Sequence, residues 1–192
     1  MNNKITDYIN QSIRTKEKLK EQALLIEKVA DVITRSFRSG GKLILLGNGG
    51  SAGDAQHIAA EFIGKYGIKR KALPAIALTT NTSSLTALGN DFGFKKIFSR
   101  QLEGLASVND VIIAISTSGN SSNVLEALKL AKKNKITTIG LTGKSGGKMV
   151  SLVDLAIKIP SSNTQNIQES HIMVGHILVD LVESKLQNLK QI

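Results

Sequence analysis

Five short apolar runs, separated by longer stretches of helical spacing, constrain this chain most. They are Leu43 to Leu46, Ala75 to Leu78, Val111 to Ile115, Thr138 to Leu141 and Leu155 to Ile159, each of strand length and rich in β-forming residues. Strands that alternate with helices predict a parallel sheet covered on both faces. The expected fold class is therefore α/β, a five-stranded parallel sheet flanked by helices. Ahead of it, Lys4 to Ser39 alternates charged and apolar residues, with Ile26, Val29, Ile33 and Phe37 at helical spacing, and stops at Gly40-Gly41. That predicts N-terminal helices over residues 1–39 and an α/β unit over 40–192. A last long helix is expected from about Thr164 to Leu186, after Pro160. No repeat, linker or low-complexity stretch interrupts the pattern, so residues 1–192 read as one domain.

Two strand ends carry polar loops. Leu43 to Leu46 runs into Gly47-Asn48-Gly49-Gly50-Ser51-Ala52, and a helix-compatible segment begins at once. A helix N-terminus presents free N–H groups that favour an anion, and glycine lets the backbone turn tightly there. On that helix His57 and Glu61 stand at i and i+4, hence on one face near the loop. The second loop, Ser116-Thr117-Ser118-Gly119-Asn120-Ser121-Ser122-Asn123, leaves the third run with a dense cluster of hydroxyls. Hydroxyls and helix-start N–H groups satisfy phosphate oxygens without a metal. The plainer alternative is that Ser121 or Ser122 caps a helix. Neither loop has Walker A or dinucleotide-fingerprint spacing.

A third polar cluster interrupts the last apolar helix: Gln168, Glu169, Ser170 and His171, then Gly175-His176. Glu169 and His176 lie seven apart and share a face. All three histidines of the chain, His57, His171 and His176, stand near carboxylates on two helices. Packed core histidines and a ligand set are both compatible with this placement.

Composition narrows the chemistry. There is no cysteine, which removes disulfides, thiolate catalysis and Cys-ligated zinc. The N-terminus has no apolar signal core and no run approaches membrane-spanning length, so a soluble, cytoplasmic protein is expected. The formal charge is +10, but the lysines are dispersed and aromatics make up only 4%, which argues against a nucleic-acid surface. Neither nucleic acid nor membrane is an expected partner; a lysine-rich surface helps attract phosphates.

Taken in order, Gly-Asn-Gly-Gly-Ser-Ala, Asp-Ala-Gln-His with Glu61, Gly89-Asn90-Asp91, Ile-Ser-Thr-Ser-Gly-Asn-Ser and Ile-Gln-Glu-Ser-His with Gly175-His176 resemble the phosphoheptose isomerases of the sugar isomerase (SIS) fold family. The resemblance covers nearly the whole chain. It implies conversion of sedoheptulose 7-phosphate to D-glycero-D-manno-heptose 7-phosphate through an enediol, the entry step of activated heptose synthesis for surface polysaccharide. It also implies a homotetramer with shared active sites and one Zn2+ per subunit, held by His57, Glu61, Gln168 and His176. Glu61 is the implied base and His176 its acid–base partner. Asn48, Gly49, Gly50 and Ser51, then Asn90 and Asp91, are the implied sugar contacts, with Glu61 and Gln168 touching substrate too. Ser116, Thr117, Ser118 and Ser121 are the implied phosphate contacts.

Three positions depart from the usual pattern: Lys65 for an arginine, Asn81 for an aspartate, and Gly53 for an alanine. They bear on substrate preference and loop rigidity more than on reaction type. The fold family also contains a replication-initiator-binding protein that is not an isomerase. An interaction module of that kind, or an isomerase for another phosphosugar, are the alternative readings.

Overall fold

The computed structural model describes residues 2–189. Two helices, α1 (Asn2–Leu19) and α2 (Ala23–Arg38), lead in, joined by a 3-10 turn at Lys20–Gln22. Strands β1 (Leu43–Gly47), β2 (Ala75–Ala77), β3 (Val111–Ser116), β4 (Thr137–Thr142) and β5 (Leu155–Lys158) form one sheet. Helix α3 (Gly50–Ile63) follows β1, α4 (Thr82–Phe92) and α5 (Ser99–Leu105) follow β2, α6 (Ser122–Lys133) follows β3, and α7 (Thr164–Asn188) closes the described chain.

Every strand pairing is parallel, and the spatial order is β2-β1-β3-β4-β5. The expected parallel sheet with helices on both faces is what forms. Side chains along a strand alternate between faces, and the central strands divide their apolar residues accordingly. Leu43, Leu45, Val111, Ile113, Ile139 and Leu141 enter one core with α2, α3 and α7. Ile44, Leu46, Ile112 and Ala114 enter the other, beneath α5 and α6. Both faces being apolar explains why these strands read as continuous apolar runs rather than as alternating ones.

The edges differ from the expectation in detail. β2 ends at Ala77, although Leu78 still donates to the Leu45 carbonyl (2.9 Å) before the chain turns away. The N-terminal helical stretch breaks at the 3-10 turn, and the Gln22 amide there does a specific job. It accepts from Lys158 N (3.0 Å) and donates to the Lys158 carbonyl (2.5 Å), satisfying backbone groups on the edge strand β5.

This strand order reverses between β1 and β3, the two strands that carry the polar loops. In an open parallel sheet the crevice outside the strand C-termini at such a switch point is where ligands bind. Topology alone therefore brings Gly47–Ser51 beside Ser116–Ser121.

Candidate active site

Two glycines shape the first loop. Gly49 has φ +54° and ψ −122°, a conformation hostile to residues with a Cβ, and it caps α3. Gly50 has an ordinary φ but a close neighbour: a Cβ there would lie 2.3 Å from Gln168 Nε2. The Gln168 amide on α7 is thus packed over the start of α3. Asn48 and Asn123 exchange amide hydrogen bonds (2.9 and 2.8 Å), which lock the first loop to the first turn of α6. Asn123 is 1% exposed. Its pairing with Asn48 was not evident from the sequence, where Asn123 only ends the second polar loop.

The serine loop is tied down on its far side. Gly143 N donates to the Thr117 carbonyl, Met149 N to the Gly119 carbonyl and Lys148 N to Asn120 Oδ1, each at 3.0 Å. Gly119 has φ +64°, and a Cβ on it would sit 2.0 Å from the Gly146 carbonyl oxygen. Ser121 occupies the N-cap of α6, yet its hydroxyl caps nothing; it bonds Ser116 Oγ instead (3.0 Å). The helix-capping alternative does not hold for this hydroxyl. Thr117 and Ser118 also line a cavity of about 520 Å³ with Gly143, Lys144, Ser161 and Thr164.

His57, Glu61 and His176 converge where α3 crosses α7. Contact between the helices is close because α7 has Gly175 there: a Cβ would meet the Ile58 side chain at 2.5 Å. Residues 57 and 176 flank that contact. His57 Nε2 lies 3.0 Å from His176 Nε2 and 3.3 Å from Glu61 Oε1, and one donor atom from each of the three falls within 4.8 Å of the others. Tyr66 stacks on the His176 ring at 5.5 Å between centroids and 23° between planes. Asp54, one turn before His57, has its carboxyl pushed up to about 6 by burial, with His57 pulling the other way. Its Oδ2 is buried without a hydrogen-bond partner. Tyr66 and Asp54 were also missed; Asp54, at i−3 from His57, had the better sequence signal.

The other parts of the third cluster separate. Glu169 faces Lys16 of α1 (3.4 Å) and not His176. His171 is fully buried, neither ring nitrogen has a partner in hydrogen-bonding geometry, and burial pushes its pKa down to about 4 against the opposing effect of the Thr142 backbone. It is a core histidine. Asn90 and Asp91 lie at the exposed end of α4, bonded to each other (2.9 Å); among the described residues neither is bonded to the histidine cluster. Asn81 caps α4 by accepting from Ser84 N (2.9 Å), a role in which Asn and Asp are equivalent. Lys65 is exposed, directly before Tyr66.

Known proteins resemble this chain over most of its length. The SIS domain family matches residues 7–143. A phosphoheptose isomerase of Sulfurimonas denitrificans is 49% identical over 185 residues, 95% of each chain. One from Aneurinibacillus thermoaerophilus is 50% identical over 97% of this chain and 96% of its own. Among solved structures, the phosphoheptose isomerase from Neisseria gonorrhoeae superposes with a TM-score of 0.90 at 40% identity, covering 95% of this chain and 98% of that one.

Proposed function

The chain belongs to the SIS-domain family and, within it, to the phosphoheptose isomerases, and on that premise we propose how its own residues carry the reaction. It is an isomerase that interconverts sedoheptulose 7-phosphate and D-glycero-D-manno-heptose 7-phosphate. Near 50% identity to named isomerases over almost the full length disfavours the interaction-module alternative.

The observation that carries the reading is the meeting of His57, Glu61 and His176 on two helices that start or pass beside the polar loops. The phosphate docks on Ser116, Thr117, Ser118 and Ser121. Asn48, Gly49, Gly50 and Ser51 take the sugar chain between phosphate and cluster. Glu61 removes the C1 proton of the ketose and returns it to C2, while His176 moves a proton from O1 to O2, so atoms and charge balance through the enediol. Glu61 Oε1 faces the imidazole of His57, which leaves its second oxygen for the carbon-bound proton.

The same groups suit a metal. Tetrahedral zinc with bonds of 2.0–2.1 Å places its donor atoms about 3.3 Å apart. His57, Glu61 and His176 present donors at 3.0 and 3.3 Å, and Gln168 on the same helix as His176 is the fourth ligand of this proposal. Bound zinc would supply Lewis-acid polarisation of the carbonyl oxygen.

Asn90 and Asp91, exposed at the end of α4 and not bonded to the cluster among the described residues, fit a site completed by another subunit. Helix α1 supports assembly as well, exposing Ile5, Tyr8, Ile9 and Ile13 along one side, a pattern that an isolated surface helix rarely keeps. We read the assembly as a homotetramer. No helix among the described residues is long and apolar enough to cross a membrane. A cytoplasmic location fits an enzyme working on phosphorylated sugars.

Turnover of sedoheptulose 7-phosphate by purified protein tests the reading, with chelation and zinc restoration as separate arms. Glu61→Gln should stay folded and lose at least about 1,000-fold in kcat, roughly 4 kcal/mol of transition-state stabilisation. Full activity in that variant would sink the assignment of the base.

A further inference from the structure

The segment after α3 has no regular structure of its own, yet it carries Tyr66, whose ring lies on His176. One carboxylate holds it. Glu183, on α7 two turns beyond His176, accepts from Tyr66 N (3.0 Å), Gly67 N (2.9 Å) and Ile68 N (3.3 Å). Among the described residues these three N–H groups have no other acceptor. Glu183 Oε1 also receives Arg70 Nε at 2.6 Å.

Arg70 extends the connection to α3. Its Nη1 donates to the carbonyls of Phe62 (2.7 Å), Lys71 (3.1 Å) and Gly64 (3.2 Å), and its Nη2 to the carbonyl of Glu61 (2.8 Å). Both charged side chains are almost wholly removed from solvent, at 0% and 3% exposure. Burial pushes the Glu183 carboxyl up, but the Gly67 and Tyr66 N–H groups and the guanidinium outweigh it and hold it below its ordinary value. The pair is ionised and fully engaged.

A buried ion pair of this kind is weak evidence for stability as such, because desolvation offsets most of the attraction. What distinguishes this one is where its bonds end: on the backbone of Glu61, on the loop under Tyr66, and on the helix that bears His176. We propose that Arg70 and Glu183 are positioning residues for the isomerase site, acting through Tyr66 to hold the His176 ring against His57 and Glu61. The proposal rests on the functional reading above. It adds a shell behind the reacting groups, where only a planar five-donor cation can reach four carbonyls and a carboxylate at once.

The chain has no tryptophan and two tyrosines, Tyr8 and Tyr66. In a Tyr8→Phe background the tyrosine emission therefore reports Tyr66 alone, independent of turnover. Glu183→Gln and Arg70→Lys are expected to release the stacked ring and change that emission. They should also weaken zinc binding, measured by competition with a chromophoric chelator, and lower kcat, each by about 10-fold or more. KM should stay within about twofold, since the phosphate loop is untouched. With the clamp intact, Tyr66→Ala should reproduce the losses in zinc affinity and kcat, and Tyr66→Phe should restore both.

Wild-type kcat and zinc affinity in Tyr66→Ala would overturn the proposal. So would a Glu183→Gln protein that melts earlier but keeps the Tyr66 emission and zinc affinity of the parent. If Glu183→Gln does not fold, the Tyr66→Ala and Tyr66→Phe pair decides. A wild-type protein inactive on the heptose phosphate would count against the functional reading, whereas the emission and chelator readouts judge the clamp separately.

Discussion

The serine loop and the histidine cluster lie at one end of the molecule but are built on opposite principles. The loop is held by backbone: glycines at positive φ, carbonyls paired across to residues 143–149, and a Cβ-free contact between Gly119 and Gly146. The cluster is held by side-chain packing of two helices, with the His57 side chain half exposed and the Glu61 side chain a quarter exposed. On the proposed reading the serine loop receives the phosphate, a group that is the same in every phosphosugar, and a rigid, pre-paired receptor suits it. On the same reading the cluster is the reacting end, which must admit moving protons and two carbons that change hybridisation, and its partial exposure leaves room for them. Rigidity sits where the ligand is constant, and openness where it changes.

Gly119→Ala should break the rigid end. The new Cβ faces the Gly146 carbonyl oxygen at 2.0 Å on a residue with φ +64°, and neither atom belongs to a side chain that can swing away. Left-handed strain and overpacking together are expected to cost about 4 kcal/mol. Chemical denaturation measures it, and substrate affinity should fall with it. A variant of parental stability would show that the two loops are softer than their pairing implies.

His171 sits between the two ends, on α7 with Gln168 and His176 and facing the end of β4. Its pKa is lowered from 6.5 to about 4, mainly by burial. The unfolded chain therefore takes up a proton that the folded one refuses. The stabilisation is complete above pH 6.5 and drains away as pH falls towards 4, by about 3 kcal/mol in all. Asp54, raised from 3.8 to about 6, acts in the opposite sense over its own window, favouring the folded state as pH falls. Denaturation midpoints of the parent and of His171→Leu between pH 7.5 and 4 separate the two. The variant should lose the acid-side decline, and an unchanged decline would remove His171 from the explanation.

How legible all this was depended on whether the determining contacts are local. The five strands and the polar loops followed from apolar runs and glycines, and the parallel pairing from strands alternating with helices, because period and turn chemistry are properties of neighbouring residues; the strand order did not. His57 with Glu61 followed from helical spacing. The pairings of Asn48 with Asn123, of Tyr66 with His176 and of Glu183 with Arg70 join residues far apart in the chain, and no local pattern marks them. The same blindness left Glu169 and His171 undecided between core and site. Spacing put them near His176 in sequence, but helix rotation turns one towards α1 and the other into the core.

Gly175→Ala tests the packed end. Its Cβ would approach two Ile58 side-chain carbons at 2.5 Å, and isoleucine can give way only in part. A cost of about 2 kcal/mol is expected. The functional effect should exceed the stability effect, because the helices would separate beside His57 and His176. Calorimetric zinc titration reads this directly: affinity should fall while phosphate affinity holds. Equal losses at both ends would mean that the site moves as one body.

The smallest change is the most discriminating control. Gly53 lies within α3, exposed, with nothing inside 4 Å of a would-be Cβ and with an ordinary helical φ. Alanine there should raise stability by roughly 0.5–1 kcal/mol through helix propensity alone. The same helix carries His57 and Glu61, so Gly53→Ala stiffens the support of the open end without entering it. A higher melting temperature with unchanged kcat would show that the openness of the cluster comes from its surroundings and not from a loose helix. A lower kcat at higher stability would instead locate part of the reacting end's freedom in the first turn of α3.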